Sequence, residues 1–270
     1  MIDRRSDGRT GGWRGAGGRT IRRSLVFACL LSSAAACRVS LSPLQNRIGV
    51  GTESYLIFTA LGEGGQGDLY AASGSGGPVF PVTFTRVHET APALSPDGVM
   101  LAYLRGRTAE DSAGFRIWVM NLLNGNEREI PRPGGGHPSR LGWSSDGRTL
   151  FIHTASGDFQ TPAPPARPDV QPADPAAASR ALSVALGDPA FARVVPCDST
   201  GLCVETPGGN RSLLTADGAH PVRWGPDSVG YFVGSIFVVR PLGAGQAREV
   251  EWRKMPEGVG EGSGFGGSER

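Results

Sequence analysis

Ala93-Leu94-Ser95-Pro96-Asp97-Gly98 is a tight turn that runs into the apolar stretch Met100-Leu101-Ala102-Tyr103-Leu104. The pattern returns as Gly142-Trp143-Ser144-Ser145-Asp146-Gly147 before Thr149-Leu150-Phe151-Ile152. It returns again as Arg223-Trp224-Gly225-Pro226-Asp227-Ser228 before Val229-Gly230-Tyr231-Phe232-Val233. In each copy the aspartate can accept backbone N–H bonds and close the turn, and the run that follows has the length and composition of a strand. Ile117-Trp118-Val119-Met120-Asn121 and Ile236-Phe237-Val238-Val239 supply further strands, so the repeating unit is a small antiparallel sheet.

Spacing gives the number of units. Asp97 and Asp146 lie 49 residues apart, whereas Asp146 and Asp227 lie 81 apart, about two repeats. A turn at Asp188, in Leu186-Gly187-Asp188-Pro189, divides the longer interval into 42 and 39. The repeat turns at Asp97, Asp146, Asp188 and Asp227 therefore predict five blades, with four as the alternative and Asn46–Val50 as the first innermost strand.

Composition agrees with an all-β architecture. Gly 41 and Pro 21 among 270 residues favour short strands punctuated by turns over a helical bundle. A formal net charge of +2 provides no basic field for nucleic acid. Even that charge comes from one end, where residues 1–36 carry seven arginines against Asp3 and Asp7 and leave the rest slightly acidic.

The turns and strands together resemble the WD40-like propeller repeat of the TolB family, in which S-P-D-G, an L-A-Y or I-F strand and a D-I-Y strand recur. Leu56-Ile57-Phe58-Thr59 followed by Asp68-Leu69-Tyr70-Ala71 comes close to that pattern. Arg116 stands where the family often has aspartate, and the third turn lacks both the serine and the final glycine. The resemblance implies a β-propeller that recognises envelope proteins such as a peptidoglycan-associated lipoprotein, and the spacing above gives it five blades. It does not extend to the N-terminal α/β domain of TolB, for which no room is expected before the first strand.

The first 36 residues read as a signal peptide with a basic n-region. Arg22-Arg23 precede the apolar run Leu25–Leu31, which is too short to span a bilayer, and the small residues Ser32–Ala36 follow. Ala34-Ala35-Ala36-Cys37 resembles the lipobox of bacterial lipoproteins, with Ala34 in place of the usual leucine, and that resemblance implies lipidation of Cys37. Ordinary A-x-A cleavage to a soluble periplasmic protein is the alternative, and Arg22-Arg23-Ser24-Leu25-Val26 also looks like a twin-arginine signal. Two acyl chains would hold the protein at the envelope membrane. The expected organisation is a tether over 37–45, a propeller over 46–252 with a Pro- and Ala-rich insertion at 156–180 that degrades the third blade, and a disordered Gly-rich tail over 253–270. Cys197 and Cys203 flank a turn and are expected to close a disulfide in an oxidising compartment.

Chemistry is harder to find. Gly62–Gly67 matches G-x-G-x-x-G, but a strand follows where a dinucleotide site needs a helix, and Lys254, the single lysine, comes far too late for a kinase. G-x-S-x-G is missing, so no α/β-hydrolase signature accompanies the repeats. His88 and His137 each lie nine residues before a turn aspartate, and His220 lies seven before Asp227. His137-Pro138-Ser139-Arg140 is echoed by His220-Pro221-Val222-Arg223. If these residues enter innermost strands, His88, His137, Arg140, His220 and Arg223 could ring the channel mouth and bind a small anionic ligand. No catalytic residue, metal or cofactor is expected, and the reading is a scaffold for an envelope protein or small ligand. The alternative is a metal-dependent propeller enzyme such as a polysaccharide lyase that uses those histidines.

Overall fold

Two of the repeat turns close by the same set of bonds. Ser95 Oγ donates to Asp97 Oδ1 at 2.5 Å, and the same carboxylate oxygen accepts from Val99 N–H at 3.0 Å. Ser144 Oγ and Arg148 N–H hold Asp146 Oδ1 at 2.6 and 3.0 Å. Gly98 and Gly147 sit at φ 68° and 69°, a left-handed conformation that explains glycine at the end of each turn. Each serine then accepts the N–H of the residue that starts the next strand, Met100 or Thr149.

The computed structural model describes residues 42–62, 64–183, 185–186, 192–197, 200–225, 228–241 and 245–265. Residues 1–36, expected to form a signal segment, lie outside the described residues, as do Cys37, Asp188 and Asp227. The folded unit is a ring of five antiparallel sheets, a five-bladed β-propeller. Blade 1 contains β1 (Tyr55–Leu61), β2 (Gly67–Ser73) and β3 (Gly77–Pro81). Blade 2 contains β4 (His88–Leu94), β5 (Met100–Gly106), β6 (Arg116–Asn121) and β7 (Glu127–Ile130). Blade 3 contains β8 (Pro138–Trp143), β9 (Thr149–Thr154), β10 (Gly157–Pro162) and β11 (Gln171–Pro172). Blade 4 contains β12 (Ala185–Leu186), β13 (Ala192–Pro196), β14 (Leu202–Glu205) and β15 (Arg211–Thr215), and blade 5 contains β16 (Ala219–Trp224), β17 (Ser228–Val233), β18 (Ile236–Pro241) and β19 (Arg248–Val250).

The innermost strand of blade 1 comes from the C-terminal end of the chain, which corrects two expectations. Asn46–Val50 forms turns instead of a strand. Arg47 N–H and Ile48 N–H both bond to Leu44 C=O, and Asn46 is left-handed at φ 61°. This coiling brings Leu44 and Ile48 side by side in the core, whereas an extended strand would space them about 13 Å apart along one face. Residues 253–265 are equally far from a free tail. β20 (Trp252–Arg253) runs parallel to β3, and β21 (Gly262–Phe265) pairs antiparallel with β1, with Gly262 opposite Phe58 and Phe265 opposite Tyr55. Ser263 Oγ accepts from Leu94 N–H at 2.9 Å, which ties the closing strand to the innermost strand of blade 2.

Blade 3 keeps four strands, though the outermost has only two residues and contains Pro172, as an edge strand tolerates. β10 occupies Gly157–Pro162, so the Pro- and Ala-rich insertion begins after it and not at 156. The insertion ends in helix α1 (Pro175–Leu182), which starts on Pro175 and is capped by Asp174 Oδ1 accepting from Ala177 N–H at 2.8 Å.

Apolar clusters explain how the blades cohere. Tyr55, Ile57, Leu101 and Tyr103 join blades 1 and 2, while Ala102, Ile117, Trp143 and Ile152 join blades 2 and 3. Val194, Leu202, Val229 and Tyr231 join blades 4 and 5, and Leu56, Phe58, Trp224 and Phe237 join blades 5 and 1. Among the described residues no such cluster joins blades 3 and 4. There α1 packs on β8, β9 and β10, with Ala178 buried and Ala181 C=O lying over Gly142, where any side chain would collide with it.

Candidate functional site

β2 and β4 begin, and β5 ends, at the end of the ring opposite the aspartate turns. Three polar residues meet there in the seam between blades 1 and 2: Asp68, Glu89 and Arg105. Glu89 and Arg105 are direct cross-strand partners, so their side chains leave the sheet on the same face. Arg105 Nε donates to Glu89 Oε1 at 2.7 Å. Its other two nitrogens reach Glu127, at 3.2 and 2.9 Å, and the Tyr103 hydroxyl, at 2.7 Å. Tyr103 donates in turn to Glu127 Oε1 at 2.5 Å. The guanidinium lies 4.6 Å from the Trp118 ring centroid, so its faces are occupied as well as its edges.

Glu89 is 0% exposed, and burial pushes its carboxyl upward against the pull of Arg105. Its Oε2 makes no hydrogen bond of good geometry, although the Thr83 hydroxyl lies beside it. Burial works to release the Arg105 proton, but Glu127, Tyr103 and Glu89 together hold it on. Asp68 is 6% exposed and its carboxyl is also raised by burial; its Oδ1 accepts a long bond from Thr85 N–H at 3.4 Å. A shallow cavity of about 540 Å³ opens beside Asp68, lined by Gly64, Gln66, Asp68, Phe84, Thr85 and Arg86. Phe84 is 74% exposed on its rim. A smaller cavity of about 320 Å³ lies where the N-terminal turns meet Leu123.

His88 and His220 do lie in innermost strands, and His137 immediately precedes one. Their side chains go to different surroundings. His88 Nδ1 accepts from Gly67 N–H at 2.9 Å, and the ring stacks on Phe115 at 6.0 Å. His137 and His220 are exposed, with His220 at the strand irregularity of β16 and φ 49°. Arg140 is the cross-strand partner of His153 and donates to Leu182 C=O at 3.3 Å, on the side of blade 3 covered by α1. Arg223 bonds within its own turn, to Gly225 C=O at 3.2 Å. The reason is geometric: an innermost strand turns its backbone edge toward the axis and its side chains toward the neighbouring blades. Among the described residues no group of three His, Cys, Asp or Glu is placed to hold a metal.

Cys197 and Cys203 are joined as a disulfide across the β13–β14 hairpin, with Cα atoms 5.2 Å apart. The Asp68, Glu89 and Arg105 cluster escaped sequence reasoning. Its one trace was the charged Arg105, two residues after Tyr103 at the end of an apolar strand.

The chain matches no protein-family model and no curated protein. Among solved structures it is similar to TolB from Acinetobacter baumannii, at 14% identity and a TM-score of 0.42 over 74% of this chain and 53% of that one. This chain thus spans about half the length of that TolB. A crystal structure of a nidogen/laminin complex gives 10% identity and a TM-score of 0.46 over 78% of this chain and 98% of that one. A periplasmic gluconolactonase from Pseudomonas aeruginosa gives 17% identity and a TM-score of 0.33 over 76% and 69%.

Proposed function

We propose that this chain is an exported, lipid-anchored propeller that serves as a protein-binding scaffold in the bacterial envelope. The observation that carries the reading is the 74% exposure of Phe84 beside a cavity, at the end of the ring where Arg105 ties Glu89, Glu127 and Tyr103 together. Large aromatics exposed on a fixed frame are the groups that dominate recognition surfaces. Export and anchoring are supported by the basic flank, the short apolar run and Ala34-Ala35-Ala36-Cys37, and the Cys197–Cys203 bond suits an oxidising compartment. Catalysis is not part of this reading, because Glu89, Arg105 and Glu127 are engaged with one another.

Crosslinking in living cells, followed by capture of the tagged full chain, tests it. One abundant envelope partner is expected, lost when the propeller is deleted with residues 1–45 retained and reduced by Phe84→Ala. Capture that is indifferent to both changes would overturn the scaffold reading. Conversion of Cys37 to serine is expected to release the protein from the membrane, and retention would exclude lipidation there.

A further inference from the structure

We infer that the cavity beside Asp68 binds a primary alkylammonium group, either the end of a lysine side chain on a partner protein or a free amine. The inference deepens the scaffold reading and rests on it only in taking this end of the ring as the recognition surface.

Charge balance carries the argument. Among the described residues the seam holds three carboxylates, Asp68, Glu89 and Glu127, and the four hydrogen bonds that Arg105 donates go to Glu89, Glu127 and the Tyr103 hydroxyl. None reaches Asp68. His88 does not supply the missing charge, since accepting a bond from Gly67 N–H at Nδ1 requires that nitrogen to be unprotonated. Among the described residues, Asp68, 6% exposed in the cavity wall, is given only the long bond from Thr85 N–H. A buried carboxylate without a cation is costly, and a positive group entering the cavity removes that cost. Gly62 makes room for the arrangement, because a side chain there would occupy the position of Asp68 Oδ2.

Phe84 supplies the second recognition element. An aromatic face beside a carboxylate attracts alkylammonium through its ring quadrupole and covers the methylene stem. Among the described lining residues Arg86 is the one cation, and it is exposed, so water and salt screen it far more than they screen Asp68. It opposes an ammonium weakly, whereas an anion seated beside Arg86 would face the poorly screened Asp68. A volume of about 540 Å³ accommodates an aminoalkyl chain.

Titration calorimetry on the full chain in detergent, with n-butylammonium and with a short blocked peptide containing one lysine, tests the inference. Asp68→Asn keeps an acceptor for Thr85 N–H and is expected to weaken binding by about tenfold. Phe84→Ala, on the exposed rim, leaves the fold intact and is expected to cost about threefold. Arg86→Gln is expected to tighten binding by about twofold. Preference for the peptide identifies a partner lysine as the source, and preference for n-butylammonium identifies a free amine. Failure of both probes to saturate overturns the inference, as does an unchanged affinity in Phe84→Ala, even where capture of a partner in cells succeeds.

Discussion

A Cβ on Gly264 would stand 2.7 Å from Cε3 of the Trp224 indole, so the strand that closes the ring fits only because it carries no side chain at that point. Trp224 belongs to the cluster joining blades 5 and 1, where Trp252 also stacks on Phe237 at 4.9 Å. The C-terminal segment thus seals the ring twice, at the innermost and the outermost edge of blade 1.

Gly264→Leu is expected to destabilise the protein by about 2 kcal/mol, since the indole and the Arg223 carbonyl leave no space to relax into. Truncation after Arg253 is expected to do more, because it leaves the β1 edge unpaired and open to association. Urea unfolding and light scattering check both; native-like stability in the truncated chain would contradict closure by β21.

Arg105→Met is expected to cost about 3 kcal/mol, by leaving Glu89 buried without its cation. Combining it with Glu89→Leu is expected to restore most of that loss. A double variant as unstable as the single one would show that packing around Trp118, and not charge, sets the effect.

Trp143 Nε1–H donates to Ala93 C=O at 2.9 Å across the boundary between blades 3 and 2. Trp143→Phe keeps most of the apolar contact but removes the indole's bond to a carbonyl that still has its ladder partner across β4 and β5, a loss of about 1 kcal/mol. Thermal unfolding measures it directly, and an unchanged midpoint would mean the bond contributes nothing.

Stability should depend on pH through His88. Burial holds this imidazole below its ordinary value of 6.5, while Asp68 and Glu110 pull it upward. The unfolded chain therefore takes up the proton first, so the contribution of His88 is complete above pH 6.5 and declines as pH falls through that value. Asp68 and Glu89, raised by burial, act in the opposite sense, their contribution growing as pH falls toward their unfolded values. His88→Asn retains an acceptor for Gly67 N–H and does not titrate. The stability difference between wild type and this variant should shift in favour of the variant below about pH 6, and a difference independent of pH would remove His88 from the account.

The turns, the strands and the five-blade ring were legible because each rests on a few adjacent residues. Asp97 and Asp146 organise their own neighbourhoods, and alternating apolar runs such as Met100–Leu104 declare a strand wherever they are placed. Closure was not legible. Gly262-Ser263-Gly264 reads as flexible until Trp224 and Leu94, the latter 169 residues from Ser263, stand against it. The Asn46–Val50 misreading has the same origin, since Leu44 and Ile48 choose a coil only once a core exists to receive them. Sequence spacing suggested that the histidines could share one channel mouth, but the radial setting of the blades sends their side chains to different surroundings. The same setting brings Asp68 of one blade beside Glu89 and Arg105 of the next. Local hydrogen bonding and alternation are properties of the chain itself, whereas the site and the seal arise from contacts between distant segments that exist only once the ring is closed.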